Sequence, residues 1–129
     1  MIRADLHIHS QYSSDGEFRP ADIVGKCAAG GVDLFALTDH NTVRGLDEAA
    51  GCASKAGLGF VPGIEVDCNF EGIDLHLLGY GIDRRSRDFA SLEQDVAAKV
   101  TEAFGETVHR LRKLGLRAGS CPRWNWSPK

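Results

Sequence analysis

The chain has 129 residues, of which 43% are hydrophobic, 26% charged and 8% aromatic. This composition is typical of one globular domain and excludes a collagen, a mucin-like stalk and a mostly disordered protein. No apolar run approaches the ~20 residues of a membrane span, and the first residues lack the basic-then-apolar pattern of a secretion signal. We therefore expect a cytoplasmic protein without a membrane partner.

The net charge of −3 is unevenly distributed. Residues 1–83 carry 13 acids and 5 bases, whereas residues 84–129 carry 5 acids and 10 bases. The acidic part suits a cation site, and the small total argues against strong binding of duplex nucleic acid through a basic face. The cysteines have no CxxC spacing and are predicted to be reduced thiols. They are Cys27, Cys52, Cys68 and Cys121.

The predicted elements alternate between strands and helices. Apolar runs and turn residues predict strands over 2–8, 33–38 and 59–64, helices over 20–29 and 45–56, a hairpin of 66–70 with 73–80, and a helix over 87–114. The order β-α-β-α-β predicts an α/β fold with parallel strands, whose carboxyl ends lie on one side. The segment 118–129 is predicted to be an irregular tail, which leaves a domain of residues 1–117.

The motif Asp5-Leu6-His7-Ile8-His9 ends the first predicted strand. Because side chains alternate along a strand, Asp5, His7 and His9 are predicted to share one face. Two imidazoles roughly 6.5–7 Å apart on one face can bind one metal ion. An HxH pair is also compatible with ordinary surface histidines.

Two loop motifs follow the first two strands. Asp15, in Ser14-Asp15-Gly16, is either a turn residue or a ligand. His40, in Thr38-Asp39-His40-Asn41, brings a third imidazole. Asp39 either orients a ligand histidine or, like Asn41, caps the next helix.

Two later motifs complete the set. Glu65 follows a buried strand, where a carboxylate is costly unless it is paired or bound to a cation, and it is placed to bridge two metals. His76 lies among leucines and is either a ligand or a hydrogen-bonded core histidine. His109, on the long helix, is predicted to be solvated. Imidazole and carboxylate ligands without thiolate suit Zn, Mn or Fe.

The ordered motifs DLHIHS, SDG, LTDHNT, PGIEV and HLLGYGID, which span residues 2–83, resemble the PHP family of polymerase and histidinol phosphatase domains. The subgroup they are most similar to comprises small bacterial metal-dependent phosphoesterases that hydrolyse nucleotide phosphate esters. The resemblance implies a distorted (β/α)7 TIM-like barrel with two or three metals at the carboxyl ends of its strands. The family's later ligands, a histidine and an Asp-x-His pair, have no counterpart here. We therefore expect the front half of a PHP barrel.

The resemblance also implies a role for each candidate. His7 and His9 match ligands of a first metal, Glu65 the bridge to a second metal, His76 a ligand of the second, and Asp15 and His40 ligands of a third. Asp15, His40 and Glu65 are the predicted catalytic residues, in a reaction by metal-activated water.

Three functional hypotheses remain open. The first is a phosphoesterase acting on a small phosphorylated substrate such as a nucleotide. The second is a non-catalytic remnant that binds metal weakly or self-associates through the open edge of its incomplete barrel. The third is a C–N hydrolase, since amidohydrolases also carry HxH on a barrel strand. The Asp15 and Thr38-Asp39-His40 motifs favour the PHP interpretation.

Overall fold

The structure, a computed structural model, describes residues 1–119. It contains four strands and three helices in the predicted order. They are β1 (Ala4–Ile8), α1 (Pro20–Ala29), β2 (Leu34–Leu37), α2 (Leu46–Ala56), β3 (Gly59–Phe70), β4 (Ile73–Tyr80) and α3 (Arg87–Lys113). Cys121 and most of the predicted tail lie outside the described residues, so the boundary at residue 117 stays a prediction.

The sheet has the strand order β1-β2-β3-β4. The β1–β2 and β2–β3 pairs are parallel, and the β3–β4 pair is antiparallel. Parallel pairing brings the carboxyl ends of β1 and β2 to the middle of β3. There an isolated parallel bridge joins His40 to Glu65.

The third strand is longer than predicted. Strands were predicted over 59–64 and 66–70, but β3 runs without interruption through Glu65. Its first four residues, Gly59–Pro62, pair with β2, and from Gly63 onward it pairs with β4, with Glu65 opposite Leu78. Glu65 therefore lies within a strand rather than at its end, and two neighbouring segments fix its backbone.

The hydrophobic core lies between the sheet and helices α1 and α2. Pro20 occupies the first turn of α1, and Gly57, with φ of 71°, ends α2 in the left-handed conformation that glycine favours. The buried side chains of this core cluster are Ile23, Val24 and Cys27 of α1, Phe35 and Leu37 of β2, and Leu46, Ala49 and Ala53 of α2. Cys27 is thus a buried residue of the core.

A bulge interrupts β1 between Asp5 and Ile8. Asp5 pairs with Phe35 and Ile8 pairs with Leu37, so β1 uses three residue steps where β2 uses two. Because Phe35 and Leu37 both face the core, Asp5 lies on the core side of the sheet, whereas His7 and His9 do not. The prediction that Asp5 shares a face with the two histidines is wrong, since a bulge breaks the alternation.

The contacts of the chain define two compact units, the first from Met1 to Glu93 and the second from Gln94 onward. In the first unit, Glu93 accepts a hydrogen bond from Thr42 Oγ1 at 2.8 Å and pairs with Arg44 Nε at 2.7 Å. In the second unit, the α3 helix continues to Lys113 with exposed residues such as His109. Within residues 1–119, no helix combines the length and hydrophobicity needed to cross a membrane.

Candidate metal centre

All six predicted ligands lie in one cluster at the carboxyl ends of the parallel strands. Strand β1 and the residue after it bring the two histidines of the HxH motif, and the next two loops bring a carboxylate and an imidazole. Strands β3 and β4 supply the remaining two groups. In chain order the ligands are His7, His9, Asp15, His40, Glu65 and His76.

Glu65 lies at the centre of the cluster, and its side chain is only 4% exposed. Its Oε2 atom is 2.8 Å from Nε2 of His7 and 2.8 Å from Nε2 of His9. Its Oε1 atom is 2.9 Å from Nδ1 of His76. The two carboxylate oxygens therefore face different imidazoles, which is the arrangement a bridging carboxylate requires.

Electrostatics favour the ionised form of Glu65. Burial by itself raises the pKa of this carboxyl, but the hydrogen bond to His7 and attraction to His40, His7 and His9 outweigh burial, and the pKa falls below its usual value. A carboxylate held ionised among imidazoles is a ready ligand for a divalent cation.

Asp15 forms a second group with His9 and His40. Its Oδ1 is 2.8 Å from His9 Nδ1, and its Oδ2 is 3.6 Å from His40 Nε2. The Ser13 hydroxyl donates to Asp15 at 2.6 Å and accepts from the His40 backbone N–H at 3.1 Å. Burial opposes ionisation of Asp15, but the bonds from Ser13 and His9 prevail and lower its pKa to about 2.

Glycine is required directly after Asp15. A β-carbon on Gly16 would overlap the backbone carbonyl of Ser10. The loop therefore turns tightly against the end of β1, and this turn brings the Asp15 carboxylate back to His9. The Ser-Asp-Gly motif thus serves as both a turn and a candidate ligand.

Asp39 connects the ends of β1 and β2 instead of contacting a histidine. Its carboxylate is 1% exposed and accepts from the Ser10 backbone N–H at 2.5 Å and the Ser10 hydroxyl at 2.7 Å. Burial raises the pKa of Asp39, although the Ser10 bonds oppose this. Helix α2 begins at Leu46 after Gly45, so neither Asp39 nor Asn41 caps it, and both predicted roles of Asp39 are wrong.

Sequence reasoning missed one charged residue of the cluster. The Asp67 carboxylate lies 2.7 Å from His40 Nδ1 and 3.6 Å from His76 Nε2. A signal was available, because Asp67 lies two residues after Glu65 in one strand and so projects from the same face. Because separate strands were predicted over 59–64 and 66–70, the shared face of Glu65 and Asp67 was not recognised.

Three overlapping groups of ligand atoms, each within 4.8 Å of one another, could hold a metal ion. They are His7 with His9 and Glu65; His9 with Asp15 and His40; and His40 with Asp67 and His76. All the donors are imidazole nitrogens or carboxylate oxygens, which suit Zn and neighbouring first-row metals. The donor chemistry therefore fits a divalent metal centre.

The family model for the PHP domain matches residues 5–114. The chain belongs to the PHP domain family. Its four-stranded sheet corresponds to the front half of the TIM-like barrel of PHP proteins, as the ordered motifs predict.

Two curated relatives are similar to this chain over most of its length. A 5'-3' exoribonuclease of Haemophilus influenzae is 35% identical over 112 residues, which cover 87% of this chain and 40% of the relative. A 3',5'-nucleoside bisphosphate phosphatase of Chromobacterium violaceum is 41% identical over 115 residues, which cover 89% of this chain and 38% of the relative. The PHP domain described here thus spans about two fifths of each relative.

A solved structure described as an amidohydrolase from Chromobacterium violaceum, with bound sulfate and no metal, has the same fold. It superposes with a TM-score of 0.77 and is 32% identical, and the match covers 90% of this chain and 40% of that one.

Proposed function

We propose that this PHP domain is a metal-dependent phosphoesterase that hydrolyses a phosphate ester of a nucleotide. The observation that carries the proposal is the division of the Glu65 carboxylate between His7 and His9 on one oxygen and His76 on the other. Two relatives named for nucleotide phosphoester chemistry, the exoribonuclease and the bisphosphate phosphatase, support the substrate class.

Each candidate ligand has a proposed role. His7 and His9 would hold a first metal, Glu65 would bridge it to a second held by His76, and Asp15 with His40 would hold a third. Zn, Mn and Fe are the proposed metals, because the donor set lacks thiolate and contains imidazole and carboxylate. Asp15, His40 and Glu65 are the proposed catalytic residues.

The exposure of these side chains leaves room for a substrate. His7, Asp15 and His76 are 49%, 53% and 57% exposed, whereas Glu65 beneath them is 4% exposed. When bound, divalent metals supply an acidified water molecule and positive charge for the phosphoryl oxygens. The buried carboxylate contacts the imidazoles of His7 and His76, and the exposed ligands would be accessible to a phosphate ester.

A C–N hydrolase is the second candidate, favoured by the description of the similar solved structure. Both reactions would use the same ligands, so the site geometry does not separate them. The substrate separates them, because a phosphoesterase releases phosphate from a nucleoside 3',5'-bisphosphate and a C–N hydrolase opens a cyclic amide.

The test combines elemental analysis with an assay of phosphate release. The purified chain is loaded with Mn or Zn and given a nucleoside 3',5'-bisphosphate, alongside His9→Ala and, as a matched control, His109→Ala on the exposed face of α3. We expect bound metal and phosphate release for wild type and His109→Ala, and loss of both for His9→Ala.

Other outcomes would favour the alternatives. Cleavage of a cyclic amide without phosphate release would support the C–N hydrolase. Bound metal without turnover, together with self-association in a sizing experiment, would support a non-catalytic chain that pairs through its open sheet edge.

A further inference from the structure

Both nitrogens of the His40 ring face carboxylates. Its Nδ1 atom is 2.7 Å from Asp67 Oδ1, and its Nε2 atom faces Asp15 Oδ2 at 3.6 Å and Glu65 Oε2 at 3.5 Å. The 2.7 Å separation is that of a direct, charge-assisted hydrogen bond. The two longer separations leave space between Nε2 and the carboxylates.

Asp67 is itself fixed by the residue next to His40. The Asn41 side-chain amide donates to Asp67 Oδ2 at 2.7 Å, and the Asp67 backbone N–H donates to Asn41 Oδ1 at 3.0 Å. Asn41 is 7% exposed and has a positive φ of 56°, a conformation that asparagine tolerates better than most residues. Its backbone N–H also donates to the Glu65 carbonyl at 2.8 Å. The loop after β2 is therefore joined to β3 directly after His40, through both the backbone and the side chain of Asn41.

The contact with Asp67 favours one tautomer of a neutral His40 ring. When Asp67 is ionised it can only accept, so Nδ1 of the neutral ring donates to it and a lone pair is left on Nε2. That lone pair faces the carboxylates of Asp15 and Glu65, where the proposed function places a metal.

We propose that Asp67 is a positioning residue, clamped by Asn41, that fixes the tautomer and orientation of His40 for metal binding through Nε2. The inference rests on the proposed metal centre. It adds Asp67, which lies outside the predicted ligand set, and assigns it a hydrogen bond to a metal ligand instead of contact with the metal. Outer carboxylates of this kind typically contribute about 10–100-fold in metal affinity.

A direct ligand role is the competing interpretation, since Asp67 also forms a group with His40 and His76. The structure favours positioning because Asp67 Oδ1 is 2.7 Å from His40 Nδ1 but 3.6 Å from His76 Nε2. As a ligand, Asp67 could bind metal whatever the tautomer of His40. As a positioning residue, it acts through that tautomer.

The test reads the His40 tautomer and the metal affinity separately. The tautomer is measured by nitrogen-15 NMR of the full chain in chelator, at a pH where the imidazole is neutral, for wild type, Asp67→Ala and the control Asp74→Ala. Asp74 is an exposed carboxylate that accepts from the Asn69 amide at 2.7 Å near the hairpin turn. The affinities of the same proteins for Mn and Zn are then measured by calorimetry.

We expect wild type and Asp74→Ala to show a single Nδ1–H tautomer of His40, and Asp67→Ala to lose this preference and bind metal about 10–100-fold more weakly. If Asp67→Ala does not fold, Asn41→Gly tests the same clamp, since glycine accepts the positive φ. It should relax the tautomer in part and weaken metal binding by a smaller factor.

Two results would overturn the inference. One is an unchanged Nδ1–H signal in the folded Asp67→Ala protein, and the other is a changed tautomer with undiminished metal affinity. Failure of the proposed function looks different, because wild type itself would then take up no metal or release no phosphate. The tautomer comparison in chelator would still decide whether Asp67 positions His40.

Discussion

His7 Nε2 lies 2.8 Å from Glu65 Oε2, although 58 residues separate them in the chain. Two β-α crossovers place β1 and β3 parallel on either side of β2, so the contact across the ends of the strands follows from the parallel topology. The contact joins the exposed imidazole of His7 to the buried carboxylate of Glu65. The other candidate ligands lie around this pair.

Replacing Glu65 by glutamine should abolish stabilisation by metal. The amide keeps the volume but lacks the charge that balances a divalent cation. At metal concentrations about 100 times Kd, binding adds ~2.7 kcal/mol to the free energy of unfolding, which corresponds to a Tm increase of roughly 8–15 °C for a domain of this size. Thermal unfolding with and without Mn should show this increase in wild type and in the exposed control Glu102→Gln, but not in Glu65→Gln. An equal increase in all three proteins would contradict the bridging role.

Asp15 should contribute to acid unfolding of the metal-free protein. Its pKa is about 2 in the folded state against 3.8 ordinarily, so its stabilising contribution is present above about pH 4 and is lost as the pH falls towards 2. Glu65, whose pKa is also lowered, changes stability in the same direction. In chelator, urea unfolding of Asp15→Asn should therefore depend less steeply on pH between 4 and 2 than wild type. Superimposable pH profiles would show that the Asp15 contacts contribute nothing.

Asp39→Ala should destabilise the fold without removing a candidate ligand. It leaves the fully buried Ser10 without an acceptor for its backbone N–H and hydroxyl, at an expected cost of about 2–3 kcal/mol. Asp47→Ala is a suitable control because its side chain is 80% exposed where it pairs with Arg84, and it should stay within about 0.5 kcal/mol of wild type. Urea unfolding in chelator measures both, and equal midpoints would contradict the account.

Two glycine substitutions should have opposite effects. Gly16→Ala puts a β-carbon against the Ser10 carbonyl and should displace Asp15, which lowers both stability and metal affinity. Gly25→Ala, in α1, meets no atom within 4 Å and should be neutral or stabilise by up to about 1 kcal/mol. Thermal unfolding and metal titration of the two variants check this pair, and similar behaviour of both would show that the turn tolerates a side chain.

Local pattern was sufficient to predict most of the elements. Pro20 and Gly57 define helix ends through their own backbone preferences, and the helices are close to those predicted. The single strand over residues 59–70 was harder to predict, because the continuity of β3 depends on pairing with β2 and β4, which local sequence does not encode. The same limit applies to the bulge after Asp5, which depends on the register between β1 and β2.

The clustering of the candidate ligands could be predicted because imidazoles and carboxylates recur at predicted strand ends or in the adjoining loops, although Glu65 and His76 lie within β3 and β4. The residues that orient them could not, since their roles depend on contacts across the fold. Asp39 was predicted either to orient a histidine or to cap the next helix, yet it binds Ser10, whereas Asp67 contacts His40 and was missed. A carboxylate can orient a ligand histidine only if it lies within hydrogen-bond distance of the ring. A single sequence gives only the separation of two residues along the chain.

The most direct test of the metal centre is anomalous diffraction from crystals of the Mn- or Zn-loaded chain. We predict an anomalous peak roughly 2.0–2.2 Å from nitrogens of His7 and His9 and from an oxygen of Glu65. Loaded crystals with no peak between these three side chains, or with metal bound only elsewhere, would contradict the claim.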